Sequence, residues 1–159
     1  MNVLWLTAGI LFLDQASKYA IKSSLTLYQS IPIIPDFFNL TFVTNNGIAF
    51  GINIPGGFII FKILHTLMTI GLIWYIWQER KSHTLVRISL ALILAGALGN
   101  LYDRLIYGKV VDFLDFMIGD YHWYIFNIAD SAVTIGMLIY IYYTFIIENK
   151  TPAISDTLS

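Results

Sequence analysis

Asp112 in Val-Val-Asp-Phe (110–113) and Asp130 in Phe-Asn-Ile-Ala-Asp-Ser (126–131) stand in or beside segments apolar enough to cross a bilayer. A carboxylate at the centre of a spanning helix costs roughly 2.5–3.5 kcal/mol even on conservative scales, so a membrane chain retains one only where it is paired, wetted or used. Two carboxylates sharing one proton can bind a water. One then acts as general base while the other protonates or polarises a scissile carbonyl. No other set of residues in the chain offers that hydrolysis. Ser131 follows Asp130 directly, but His65, His83 and His122 lie in different spans and loops with no nucleophile setting around them. No His/carboxylate spacing such as His-Glu-x-x-His occurs, so no metal is expected.

The elements that must position these acids follow from composition. Of 159 residues, 57% are hydrophobic and 12% charged, against about 25% charged in soluble domains. The mean hydropathy is +0.71. Both values indicate an integral membrane protein with most of its length committed to spanning helices, hence one domain over about 1–150 and a short polar tail over 151–159. Cysteine is absent, which excludes disulfides, thiolate nucleophiles and Cys-based metal sites. A net charge of -1 without a basic run offers no footprint for nucleic acid.

Four apolar stretches, about 3–22, 58–77, 85–105 and 125–147, each reach the roughly 20 residues that cross a hydrocarbon core. The first is interrupted by Asp14, Gln15, Ser17 and Lys18, and without a positive leading region it reads as a retained helix rather than a removed signal peptide. Four spans put both termini on one side together with Arg80, Lys81 and Arg87, which marks that side as cytoplasmic. Trp74, Tyr75, Trp77, Tyr140, Tyr142 and Tyr143 fit an interfacial belt there. Between the first two spans, about 25–57, three prolines punctuate the chain and Phe38, Leu40 and Phe42 alternate with Asn39, Thr41 and Val43. This is a strand pattern with one apolar face, expected to form a small extracytoplasmic sheet over the helix ends. The fold class expected is therefore a membrane all-α protein of four helices with a small β-sheet between helices 1 and 2. The segment from Tyr107 to Tyr124 reads as less regular.

Helical spacing groups the remaining polar residues. Asp14 and Lys18 are i,i+4 on the first helix, Asn100 and Arg104 i,i+4 on the third, and Asn127 and Asp130 i,i+3 on the fourth. Ala95 and Gly99 have a small-xxx-small spacing that permits close helix approach. A single hydrated pocket at the outer helix ends would satisfy all of these groups. Each also has a plainer reading. Asp14 with Lys18 can be a structural ion pair, Asp103 with Arg104 an ordinary helix-end pair, Asn45-Asn46-Gly47 a turn, and Asn100 and Asn127 interhelical hydrogen-bond glue. Asp112 alone can be an exposed loop acid. On these residues a proton-coupled transporter or a membrane assembly factor also stays open. A transporter would be expected to carry internal repeats or helices broken at the midplane, and none is visible.

Five blocks in order, Leu-Asp-Gln-Ala-Ser-Lys (13–18), Thr-Asn-Asn-Gly-Ile-Ala-Phe (44–50), Gly-Ala-Leu-Gly-Asn-Leu-Tyr-Asp-Arg (96–104), Val-Val-Asp-Phe and Phe-Asn-Ile-Ala-Asp-Ser, together resemble lipoprotein signal peptidase, also called signal peptidase II. The resemblance spans nearly the whole chain. It implies a multi-pass aspartyl endopeptidase of the bacterial inner membrane, with its site toward the extracytoplasmic side. Its substrate would be a lipid-modified prolipoprotein, cut just before the diacylglyceryl-modified cysteine. It implies Asp112 and Asp130 as the catalytic dyad, and Asn45, Asn100, Arg104 and Asn127 as residues that orient the dyad or hold substrate. Asp14 with Lys18, and Gly47, would be supporting residues. No cofactor or metal is implied. The expected partners are substrate and membrane lipids, and the expected state is a monomer.

Overall fold

A computed structural model describes residues 3–45, 57–119 and 121–150. Four helices, α1 (Leu4–Ser24), α2 (Gly57–Gln78), α3 (Thr84–Ile106) and α4 (Ile128–Tyr142), combine with four strands, β1 (Ser30–Ile34), β2 (Phe38–Asn45), β3 (Val110–Ile118) and β4 (Tyr121–His122). α3 is the hub, since α1, α2 and α4 all pack on it. Its face at 96, 99, 100 and 103 repeats at i, i+3, i+4, i+7 and carries Gly, Gly, Asn and Asp. The glycines let backbones touch. A β-carbon at Gly96 would overlap the Ala129 carbonyl oxygen of α4, and one at Gly99 would stand 2.6 Å from Asp14 Oδ2 of α1.

Around this hub much of the apolar surface faces outward. α2 exposes Ile59, Ile60, Ile63, Leu64, Leu67, Met68 and Ile70 along its length, a display of apolar surface incompatible with water. Three helical stretches among the described residues, Ile59–Lys81, Thr84–Ile106 and Ile128–Ile147, are long and apolar enough to cross a membrane, with mean hydropathies of 1.8, 1.7 and 1.5. α1 falls outside that set by composition because Asp14, Gln15, Ser17 and Lys18 dilute it. Asp14 and Lys18, however, are buried against α3, while its outward side chains Trp5, Phe12, Leu13 and Tyr19 are all more than half exposed.

The sheet corrects two expectations. It is not confined to the connection between α1 and α2: β3 and β4, from the segment read as less regular, complete an antiparallel order β1-β2-β3-β4. Asn39 pairs with Asp115, Val43 with Asp112 and Asn45 with Val110, with the register shifting between Leu40 and Val43. The run Val110, Val111, Asp112, Phe113, Leu114 shows no simple alternation, because apolar residues fill both faces and both are covered. Val111 and Phe113 pack with Ile21 of α1 and Leu25 just past its end, so the period-two alternation of the strand sends Asp112 between them to the other side. The second correction is the start of the fourth helix. It begins at Ile128 with Asn127 as its cap, while Phe126 bridges Leu114 of β3.

Replacing Gly96 by alanine is expected to push α3 away from α4 and cost about 1–3 kcal/mol. A lower unfolding midpoint of purified G96A in detergent checks this, with the Gly9→Ala variant, whose added methyl meets nothing, as the control that should stay unchanged.

Candidate active site

Lys18 is the first functional group to be fixed. Its ammonium contacts Asp14 Oδ2 at 2.8 Å, Asp103 Oδ2 at 3.0 Å and Asn100 Oδ1 at 3.0 Å, so three acceptors match its three donors. All four side chains are buried, with Asp14 and Asp103 at 0% and 1% exposure. The acceptors pass the constraint on to α4 and β3. Asp14 Oδ1 accepts from the Ala129 amide at 2.9 Å, capping an N–H in the first turn of α4. Asp103 Oδ2 accepts from the Val111 amide at 3.3 Å and so holds the start of β3. Gln15 Nε2 donates to Asp14 Oδ2 and Asp103 Oδ1, which ties the two acids together. Asp103 is thus no helix-end partner of Arg104, as the sequence suggested. It is a wall of the Lys18 cage.

Asn127 links this cage to the two candidate catalytic acids. Its Oδ1 accepts from the Asp130 amide at 2.9 Å while its own amide donates to Asp130 Oδ2 at 3.3 Å, a reciprocal capping box at the start of α4. Its Nδ2 donates to Asp112 Oδ1 at 2.6 Å and to Asn100 Oδ1 at 3.2 Å. Asn100 Nδ2 in turn donates to Asp130 Oδ1 at 2.7 Å. Asn127 therefore contacts both carboxylates, Asp112 through its side-chain amide and Asp130 through its backbone amide. Among the described residues no buried side-chain nitrogen or oxygen lacks a partner.

Asp112 and Asp130 line one cleft of about 260 Å³ with Asn45, Asn100, Arg104, Val110, Tyr124 and Phe126. Burial and the nearby Asp130 charge push the Asp112 carboxyl up to about 6, so it keeps a proton at pH values where a free carboxyl has lost it. A carboxyl that still holds a proton beside a second acid is what general acid-base hydrolysis requires. Arg104 is oriented from behind by donating to His65 Nδ1 at 3.0 Å and to the Asn100 carbonyl at 3.3 Å. A guanidinium only donates, so Nδ1 is the acceptor nitrogen of that ring.

The sequence-derived residues Asp14, Lys18, Asn45, Asn100, Arg104, Asp112, Asn127 and Asp130 meet in this one region, while Gly47 lies outside the described residues. Four contributors escaped the sequence reading: Asp103, Gln15, His65 and Tyr124. The spacing at 96, 99, 100 and 103 puts Asp103 on the polar face of α3, but the adjacent Arg104 masked that placement by inviting a local pairing. A lone His inside the apolar α2 carried no comparable signal. Among the described residues no group of three or more His, Cys, Asp or Glu could hold a metal ion.

Comparison with known proteins decides the family. The family model described as Signal peptidase (SPase) II matches residues 6–146. The chain belongs to the signal peptidase II family. Among similar relatives, the lipoprotein signal peptidase of Desulforapulum autotrophicum is 44% identical over 149 residues, 90% of each chain. That of Syntrophus aciditrophicus is 48% identical over 139 residues, 84% of this chain and 86% of the relative. Two solved structures described as a bacterial membrane enzyme determined by the in meso method superpose with TM-scores of 0.82 and 0.83 at 34% identity. They cover 95% and 91% of this chain, and 92% and 93% of theirs. As a signal peptidase II family member the chain is an aspartic peptidase of the membrane, and a cleft carboxyl that resists ionisation suits that class.

The raised carboxyl has a stability consequence. A folded Asp112 keeps its proton to about 6, whereas the ordinary value is 3.8. Protonation therefore favours the folded state in that window, and stability falls as pH rises through it, by at most ~3 kcal/mol. Asp112→Asn removes the penalty. The variant is expected to unfold at a higher temperature than wild type at pH 7.5 and to match it near pH 4, as read by thermal unfolding in detergent across pH.

Proposed function

We propose that this chain removes the signal peptide from diacylglyceryl-modified prolipoproteins, with Asp112 and Asp130 as its catalytic dyad, by cutting just before the lipidated cysteine. The single observation that carries the residue assignment is the Asn127 bridge, which holds both carboxylates in one cleft. One aspartate deprotonates a water that attacks the scissile carbonyl. The other donates a hydrogen bond to the developing oxyanion, and the proton then passes to the leaving amide as the C–N bond breaks. No covalent intermediate is needed. Asn100 and Asn127 orient the dyad, and Asn45 and Arg104 present donors to the substrate backbone or a lipid ester. Asp14 and Lys18 support the frame.

Residues 1–150 form one membrane peptidase domain, with α1 as a fourth span whose polar face is turned inward. In the bacterial inner membrane both termini lie in the cytoplasm, and the sheet rests on the extracytoplasmic surface. Exposed Ile31, Ile33, Ile34, Phe37 and Trp123 give the sheet an apolar surface suited to that interface. The substrate enters laterally, its lipid in the bilayer and its signal helix against the spans. The enzyme acts as a monomer.

Purified protein in liposomes is expected to cleave a lipid-modified prolipoprotein and to leave the unlipidated precursor intact, with mass spectrometry placing the cut before the modified cysteine. Asp112→Asn and Asp130→Asn should each lower turnover at least about 10³-fold while remaining folded. Substantial cleavage by either variant would remove that residue from the dyad.

A further inference from the structure

Tyr124 is a cleft residue that neither the motifs nor the mechanism above uses. It sits in the extended link between β4 and α4, a stretch fixed from both sides. The Trp123 amide donates to the Phe116 carbonyl at 2.7 Å, the Phe126 amide to the Leu114 carbonyl at 3.1 Å, and the Leu114 amide back to the Phe126 carbonyl at 2.8 Å. With its neighbours pinned to β3, Tyr124 is held in place although its side chain is largely exposed. The side chain lines the cleft together with Asp112, Asp130 and Arg104. Its hydroxyl oxygen accepts from Asn45 Nδ2 at 2.6 Å. That bond occupies the oxygen and leaves the O–H proton free to donate, because a tyrosine hydroxyl offers one donor and separate acceptor lone pairs. Burial and the Asp112 and Asp130 charges hold this phenol above its usual range, so it stays protonated wherever the dyad works.

We propose that Tyr124 is a further catalytic residue: its hydroxyl, oriented by Asn45, donates a hydrogen bond to the oxygen of the scissile carbonyl as the water adds. The water oxygen bonds to the carbonyl carbon and the C=O pair moves onto oxygen, where Tyr124 adds a donor to that of the protonated aspartate. No proton leaves the phenol. Collapse restores C=O, breaks the C–N bond and delivers the proton of the dyad to nitrogen. Such a donor matters most at the transition state, so its loss falls on kcat more than on KM. The inference rests on the peptidase reading of the same cleft.

The test is steady-state cleavage of a diacylglyceryl-modified prolipoprotein by the full chain in liposomes, comparing wild type, Tyr124→Phe, Asn45→Ala and the double variant. A fully buried oxyanion donor is worth about 10²–10³ in kcat. For this partly exposed one the expectation is a loss of roughly 10-fold or more in kcat, with KM within about twofold and an unchanged unfolding midpoint. In the Asn45→Ala background the hydroxyl is no longer oriented, so Tyr124→Phe should cost less there than in wild type. Unchanged kcat in Tyr124→Phe overturns the proposal, as does a rise in KM alone. A Tyr124→Phe loss that is retained in full in the Asn45→Ala background overturns the orienting role given to Asn45. If wild type fails to cleave the lipidated precursor, the peptidase reading itself falls, and this inference with it. Active wild type with an unimpaired Tyr124→Phe sinks only the inference.

Discussion

A single buried ammonium sets the geometry of the cleft. Lys18 reaches Asp14, Asp103 and Asn100 from the interior of the helix bundle, and those three groups hold the first turn of α4, the first residues of β3 and the amide that faces Asp130. An unpaired charge at that depth would cost several kcal/mol. The chain can therefore keep Lys18 only in the arrangement that also places both catalytic candidates. Interhelical spacing obeys the same demand, because Gly96 and Gly99 bring α4 and α1 close enough to α3 for side chains as short as Asp14 and Asn100 to complete the cage.

Rigid support matters because of what it keeps close. The Asp130 charge raises the cost of ionising Asp112, so the two acids stay in one cleft only where the frame holds them. The capping box at Asn127 supplies that hold by making one acid part of a helix start, and the strand carrying the other acid is anchored one residue earlier, at Val111. Stability at neutral pH is given up at Asp112, the pattern expected where a site needs a perturbed carboxyl.

Much of this was legible from residue types and spacing. The Asp14/Lys18 and Asn127/Asp130 pairs follow from helical periodicity, and the four apolar stretches gave the helices to within a few residues. Two features were not legible, for physical reasons. β3 has apolar residues on both faces because one packs on α1 and the other roofs the cleft, so it lacks the simple alternation that identified β2. Asp103 sits next to Arg104 in sequence, and a neighbouring opposite charge invites a local pairing. The helix points the two side chains about 100° apart, toward Lys18 and His65 respectively. Tyr124 carries no motif, and only the fold brings it to Asn45.

The account turns on Lys18, and comparing the unfolding free energy of Lys18→Met with that of Lys18→Met combined with Asp14→Asn and Asp103→Asn tests it most directly. The single change should cost about 3–5 kcal/mol by stranding two buried carboxylates, and the combined variant should recover most of that loss while still cleaving poorly, because the frame around Asn100 and Val111 is gone. A Lys18→Met protein as stable and as active as wild type would contradict the claim that this ammonium holds the site together.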